Sequence, residues 1–373
     1  MTSLVCDASP ITASELHVEV IRDFDEAAAL SGAWSALCGA ATGPVFFQSP
    51  QWCLFVWRQL SAHDHEVDGR PVVVVVRQGR EVVALLPLVI RRAIGCLIAE
   101  DMTEPFGQYS DILISPAVDG DKVMALVWAA ICKLGVDALM LRKVRDDAAV
   151  TPWLRQHARG VGLTRHAPFA EVGSFETHEA YRKTIKSKTR KNLRNYRNRL
   201  ARDGALHFEV LSDAAERAEV TRQCLSMRTR WLSASGLSST AFQHPVFRDL
   251  VAGLADGTDG APALMTSRLR YQSHDGKACD VAIQWGFVFG DRYYAYMSAK
   301  DPAFDTFSPG RLHLEDIVAH CAAQGLQTVD FLVPDMPYKA TWATDRTAVS
   351  TYGKSATLRG RAVVDAWTGK SVP

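Results

Sequence analysis

A chain of 373 residues, 47% hydrophobic and 22% charged, is long enough for two globular domains with sizeable cores of their own. Its formal net charge of +1 argues against whole-molecule attraction to DNA or to an acidic membrane, and leaves local basic patches as the anion-binding surfaces to look for. Eight scattered cysteines without a CxxC pair, no apolar run near the ~20 residues of a membrane helix, and no basic-then-apolar leader in Met1–Pro10 predict a reduced, cytoplasmic protein that does not span a membrane.

In chain order, Phe47-Gln48-Ser49-Pro50-Gln51-Trp52 opens an apolar helix. Val72–Arg77 turns at Gly79 into Val82–Ile90, a hairpin, and a helix over Lys122–Lys133 stops at Gly135 before the strand Asp137–Leu141. The second half repeats these landmarks in order. Phe242-Gln243-His244-Pro245-Val246-Phe247 opens a helix, Ala263–Tyr271 turns near Asp275-Gly276 into Cys279–Phe289, and a helix over Leu312–Ala323 stops at Gly325 before Thr328–Val333. Three landmarks at near-constant offset predict tandem copies of one α/β unit. Each copy reads as strand, helices, hairpin, strand, helix, strand, which predicts a mixed, mostly antiparallel sheet with helices on both faces. The boundary is expected near Gly162–Gly173, giving domains over 1–165 and 166–373. The tail beyond Tyr352 reads as a further strand and a short helix ending at Trp367.

Between Thr177 and Gly204 the pattern predicts one helix, capped by Thr177 and ended by Gly204. Tyr181, Ile185, Leu193, Tyr196 and Leu200 make its apolar stripe, while Lys183, Lys186, Arg190, Arg194 and Arg197 make a basic row. No acidic residue lies between Tyr181 and Arg202, so pairing within the helix cannot neutralise that row. Two readings stand side by side: a solvated face, or a surface for coenzyme phosphates, a nucleotide or an anionic lipid-linked substrate.

The stretch Gly276–Lys339 is the most informative. A long strand with Tyr293, Tyr294 and Tyr296 feeds a turn, Phe307-Ser308-Pro309-Gly310, into a helix N-terminus, where free N–H groups and the helix dipole both favour an anion. Arg311 adds a full charge. Tyr294 and Tyr296 share one strand face and Tyr293 takes the other. Asp330, inside the apolar run Val329–Val333, needs either a buried partner or a cleft. Tyr338 and Lys339 follow just beyond that strand, where loops at sheet ends form sites. Trp231 and Trp342 are either core residues or walls of an acceptor pocket.

No G-x-x-x-x-G-K-[ST], G-x-G-x-x-G or G-x-S-x-G motif occurs, so kinase, nicotinamide and hydrolase readings have no support. His63 and His65 flank Asp64 in a charged loop without further ligands, and no metal site is expected. What remains suits acyl transfer from a phosphorylated carrier, in which an amine must lose a proton and a departing thiolate must gain one.

The order Ser187-Lys188-x-Arg190-Lys191-Asn192-Leu193-Arg194, Trp231, Gly286-Phe287 with Tyr293-Tyr294, and Asp301-Pro302 resembles the CelD/BcsL-type acetyltransferases linked to bacterial exopolysaccharide synthesis. So do Ser308-Pro309-Gly310 and Asp330-Phe331-Leu332 leading to Tyr338-Lys339-x-x-Trp342. These are tandem GNAT-fold proteins akin to the Fem-type aminoacyl transferases. The resemblance implies acetyl-CoA or another acyl-CoA as donor, with pantetheine along the tyrosine strand past Tyr296 and pyrophosphate against Ser308, Gly310, Arg311 and Leu312. Read from the residues themselves, Tyr294, Asp330, Tyr338 and Lys339 are the candidates for catalytic work. Acceptor or anion binding is assigned to Lys186, Arg190, Arg194, Trp231 and Trp342. Val333-Pro334 stands where the family has a glycine.

The expected activity is therefore N-acylation of an amino sugar or lipid-linked glycan in an exopolysaccharide or holdfast precursor, at the inner-membrane surface or in the cytoplasm. Because Asp119-Gly120-Asp121 stands where the second copy has Ser308-Pro309-Gly310, the donor site is expected in the second copy. Two rivals remain. One is a cyclic di-GMP-responsive protein using Arg155-x-x-x-Arg159, Arg190-x-x-x-Arg194, Arg359 or Arg361. The other is a Fem-like aminoacyl transferase.

Overall fold

The computed structural model describes residues 15–63 and 69–368. Its strands, in chain order, are β1 (Leu16–Ile21), β2 (Arg70–Gln78), β3 (Glu81–Ala93), β4 (Cys96–Asp101), β5 (Leu113–Ile114), β6 (Ala138–Arg145) and β7 (Arg159–Ala170). They continue as β8 (Gly204–Val210), β9 (Leu264–Ser273), β10 (Ala278–Phe289), β11 (Arg292–Lys300), β12 (Thr328–Asp330) and β13 (Asp345–Ser355). All belong to one sheet, ordered β1-β2-β3-β4-β6-β13-β7-β12-β11-β10-β9-β8, with β5 paired to β3.

This order is symmetric about the β13–β7 pair. Reading outward, β6, β4, β3, β2 and β1 on one side match β12, β11, β10, β9 and β8 on the other. Among the described residues parallel pairing occurs at matching places, β4 with β6 and β11 with β12. Parallel neighbours need a crossover. Here the helices Gly120–Lys133 and Pro309–Ala323 supply it. The mixed, mostly antiparallel sheet with helices on both faces is as the element order implied.

The central pair does not follow the chain. Strand β13, from the C-terminal end, inserts between β6 and β7, while β7 pairs on its other side with β12. Each half therefore completes its sheet with a strand it shares with the other half. The 165/166 boundary expected from the sequence falls inside β7.

On one sheet face a single apolar core spans both halves. Trp34, Phe46, Phe47 and Trp52 meet Phe247, Trp285, Phe287 and Tyr294 there, and Phe46 stacks on Phe287 with ring centroids 4.4 Å apart. The opposite face carries two separate cores, one under Gly120–Lys133 and one under Pro309–Ala323. The C-terminal helix Leu358–Thr368 seals β4 and β6 with Val363 and Val364. Its Gly360 is needed for that closeness, because a Cβ there would lie 1.8 Å from the Asp137 carbonyl oxygen.

Two elements differ from expectation. The basic segment is two helices, His178–Thr184 and Ser187–Leu200, broken where Ile185 and Lys186 turn extended; Ile185 is buried in the core beneath. Thr177 does cap the first, its Oγ1 accepting from the Ala180 N–H at 3.1 Å. Gly204 opens β8 instead of ending the helix, pressed so close to β9 that a Cβ would lie 2.3 Å from the Gln272 carbonyl oxygen. Strand β12 ends at Asp330, not Val333. The Asp330 carboxylate accepts from the Leu332 N–H at 2.9 Å, and Leu332 takes φ +58°, which turns the chain out of the sheet.

No helix among the described residues is long and apolar enough to cross a membrane. The seven described cysteines are unpaired, and Cys38, Cys53, Cys96, Cys224 and Cys321 are buried as small hydrophobes.

Candidate active site

Strand β11 runs to Lys300, but β12 pairs with it only at Arg292, Tyr293 and Tyr294. Beyond Tyr294 the two parallel strands part, and the edge of β11 from Ala295 to Lys300 is left open toward the chain that follows β12. At this place β11 also carries a bulge. Trp285 of β10 pairs with Met297 and Phe287 with Tyr294, so Ala295 and Tyr296 together oppose Gly286. Gly286 is required there, since a Cβ would lie 2.0 Å from the Tyr294 carbonyl oxygen.

The helix Pro309–Ala323 starts at the end of the loop that leaves β11. Ser308 sits at φ +51° and its side chain makes no cap. Proline has no N–H, the Gly310 N–H has no backbone acceptor among the described residues, and the Arg311 and Leu312 N–H groups both turn to the Ser308 carbonyl. The Nε of Arg311 is buried without a hydrogen-bond partner. An uncapped N-terminus beside an unpartnered guanidinium suits a phosphate group. The matching helix of the first half differs. Asp119 caps it through its carboxylate, accepting from the Asp121 and Lys122 N–H groups at 3.0 and 3.2 Å. That N-terminus is satisfied and already negative.

Asp330 is fully buried and does have partners. The Tyr109 hydroxyl donates to it at 2.7 Å, and Arg292 and Arg145 approach it at 3.4 and 3.6 Å. Arg145 is fixed in turn by a two-pronged bond to Asp147 at 2.8 Å on each prong, and lies over the Tyr109 ring at 5.0 Å. Tyr109 and Arg145 come from the first half and Arg292 and Asp330 from the second. The cluster thus ties the halves together beneath the point where β11 and β12 part. This corrects the catalytic assignment of Asp330: its lone pairs are engaged, and its role is structural.

Tyr294 is 1% exposed, among Phe46 and Phe47 of the first half, and burial raises its hydroxyl well above the ordinary tyrosine range. Tyr296 stacks on Trp285 at 5.0 Å and donates its hydroxyl to the Phe106 carbonyl at 2.7 Å. Both belong to the core shared by the halves, on the face expected from strand alternation, and neither offers a free hydroxyl as acid or ligand. Trp342, at 1% exposure, is a core residue under Tyr181, not an acceptor wall.

Tyr338 and Lys339 lie on a short helix, Pro337–Ala340, against the open edge of β11. Tyr338 is 38% exposed and its hydroxyl meets Ser298 of β11. Burial of its ring raises its pKa, which keeps it protonated and able to donate near neutrality. The Lys339 Nζ donates to the Leu332 and Pro334 carbonyls, each at 3.0 Å. Burial lowers its pKa to about 8, with Asp330 opposing and Arg228 adding to the effect. A free lysine titrates at 10.5, so between pH 8 and 10.5 the native state gives up this proton before the unfolded chain does, and stability should rise with pH across that window. Chemical unfolding of wild type and Lys339→Met from pH 7 to 11 is expected to show that rise in the wild type alone; equal slopes would remove the assignment.

Arg228 was missed from the sequence. It follows Thr221 and Cys224 on the inner face of the helix Ala214–Ser235, lies within electrostatic reach of Tyr338 and Lys339, and stands over Trp231 at 4.2 Å. A signal was present: the residues three and four away, Cys224, Leu225, Trp231 and Leu232, are all apolar. Trp231 itself is 40% exposed.

In the basic segment, Arg197 reaches the helix Pro309–Ala323, donating to Asp316 at 2.7 Å and to the Leu312 carbonyl at 3.2 Å. Lys186, Arg190 and Arg194 continue that row without an acidic partner among the described residues. Elsewhere Arg155 pairs with Asp146 and Arg159 with Asp365, and Arg361 lies 3.9 Å from Asp365. His63 bonds Asp249 at 2.9 Å, while Asp64 and His65 lie outside the described residues. Among the described residues no group of three His, Cys, Asp or Glu is placed to hold a metal.

Residues 187–340 match the family model of the acetyltransferase (GNAT) domain. The fold is similar to the crystal structure of FemX, with a TM-score of 0.62 at 11% identity, covering 87% of this chain and 96% of that one. It is also similar to the C-terminal DUF2156 domain of a putative lysylphosphatidylglycerol synthetase from Agrobacterium fabrum, at TM-score 0.54 and 12% identity, covering 91% and 96%. A tandem GNAT protein from the clavulanic acid biosynthesis pathway aligns over 92% of this chain and 99% of its own, at TM-score 0.49 and 14% identity. No curated protein matches the chain by sequence.

Proposed function

We propose that this GNAT acyltransferase domain, which implies an acyl-CoA donor, moves the acyl group to the amine of an amino sugar in an exopolysaccharide precursor. The donor reading rests above all on the contrast between the two crossover helices. Asp119 has filled one N-terminus with a carboxylate, whereas Ser308, Gly310 and Arg311 leave the other open. Acyl-CoA supplies the thioester and its phosphates. The Gly310 N–H and the Arg311 guanidinium would hold those phosphates, and the open edge of β11 would orient the arm that leads inward. The amino-sugar acceptor rests on the resemblance in the order of motifs.

Tyr338 is suited to protonate the departing thiolate, being protonated near neutrality and directed at β11. Lys339, in its neutral form, has two N–H groups, which its two carbonyl partners occupy, and one lone pair left to take the proton of the attacking amine. Activity should therefore rise with pH through about 8, with Lys339→Met losing that limb.

Ser308→Asp tests the donor site by giving the second half the capped helix of the first. Two charge-assisted contacts of roughly 1.5–3 kcal/mol are at stake, so calorimetric titration should show acetyl-CoA binding at least tenfold weaker than in the wild type. Unchanged affinity, or no binding to the wild type at millimolar concentration, would overturn the assignment.

A further inference from the structure

Several half-buried or buried arginines in this protein are paired. Arg145 holds Asp147, Arg142 holds Glu100, Arg197 holds Asp316, and Arg268 is shared among Glu209, Glu216 and Asp280. Arg228 is not paired in this way. It is half-buried, yet no carboxylate lies within ion-pair distance among the described residues and no hydrogen bond is formed by its guanidinium. What it has instead is the face of Trp231 at 4.2 Å, with Tyr338 and Lys339 within electrostatic reach.

Burying a charge without a counter-ion is costly, and the usual remedy is a partner. The sequence had room for one, since Cys224, Leu225, Trp231 and Leu232 occupy every helix position from which a carboxylate could reach. Burial pushes the Arg228 guanidinium down from its usual value, while Arg142, Arg145 and Arg268 are held above theirs by their carboxylates.

We propose that Arg228 and Trp231 form the acceptor subsite, and that the acceptor is an anionic amino sugar whose phosphate or carboxylate pairs with the guanidinium while its ring lies on the exposed face of Trp231. This rests on the acyltransferase reading above, because the subsite is useful only beside Tyr338 and Lys339. The fork of the guanidinium matches a two-oxygen group, and stacking on indole keeps it flat and oriented. A ligand anion would supply the counter-charge that the fold omits. It would also offset the influence of Arg228 on Lys339 and hold the amine beside the lysine lone pair.

The test uses the full chain saturated with acetyl-CoA and follows Trp fluorescence and calorimetry. The probes are glucosamine 1-phosphate, 2-amino-2-deoxyglucuronic acid and neutral glucosamine. One or both anionic probes should bind at least tenfold more tightly than glucosamine, and the stronger of the two identifies the anion. Arg228→Gln should erase the preference, Arg228→Lys should restore part of it, and acetyl-CoA affinity should stay unchanged in both. Equal binding of all three probes, no binding of either anion, or an undiminished preference in Arg228→Gln would overturn the subsite. Failure of acetyl-CoA itself to bind would instead overturn the donor assignment, so the two ideas fail separately.

Discussion

Asp330→Ala is expected to lower the stability of the whole protein by about 3 kcal/mol or more, the range found when one partner of a buried charge pair is removed. The carboxylate receives the Tyr109 hydroxyl, two arginines and the Leu332 N–H, and is itself fully buried. Without it Arg292 loses its nearest counter-charge and the Tyr109 hydroxyl loses its acceptor. Arg145 keeps Asp147, which sets the estimate at the lower end of the range. Urea unfolding should show the shift as an earlier midpoint for both halves together, because the cluster joins them. Asp330→Asn keeps the shape and an acceptor for Leu332 but not the charge, and should fall between. A loss below about 1 kcal/mol in the alanine variant would mean that the arginines find other partners.

Gly286→Ala is the second large effect. The added methyl would lie 2.0 Å from the Tyr294 carbonyl oxygen and 3.0 Å from the Tyr293 ring. Neither neighbour can give way, since the carbonyl belongs to the β11 backbone and Tyr293 is fully buried. Strand β11 would have to move off β10 at its bulge. The expected cost is about 3 kcal/mol, at the upper end for overpacking a core. Because that bulge shapes the open edge beside the helix Pro309–Ala323, acetyl-CoA affinity should fall with stability. Thermal unfolding and calorimetry on one sample check both; a variant as stable as the wild type would show that the bulge relaxes freely.

Much of the architecture could be read from the chain. The repeated hairpins, the glycines that end the two crossover helices and the tail strand are all local signals, and local signals survive in sequence. The uncapped Ser308 turn and the carboxylate cap at Asp119 were visible for the same reason. Partnership across the halves was not. Asp330 reads as a buried acid in an apolar strand, but its partners Tyr109 and Arg145 lie about two hundred residues upstream, and no periodicity links them. Tyr294 and Tyr296 look available in a strand that favours aromatics. Only the arrival of Phe46, Phe47 and Phe106 from the other half closes them in. Conversely, Arg228 looks like one more basic residue on a long helix, and the role proposed for it depends on its having no carboxylate within ion-pair distance among the described residues.

The shared central strands have a consequence for how such a chain is made. A ribosome delivers β6 and β7 early, yet the slot between them is filled by residues 345–355, which emerge only after the strands β8 to β12 have been made. The first half must therefore wait, with the two strand edges of that slot unpaired, until β13 has emerged. Unpaired edges are the places where chains recruit one another. Truncations that stop short of Ser355 should consequently aggregate even though every residue of the first repeat is present, and a fragment carrying β13 should be able to rescue them when co-expressed. The two copies read as tandem units in the sequence, but they mature as one.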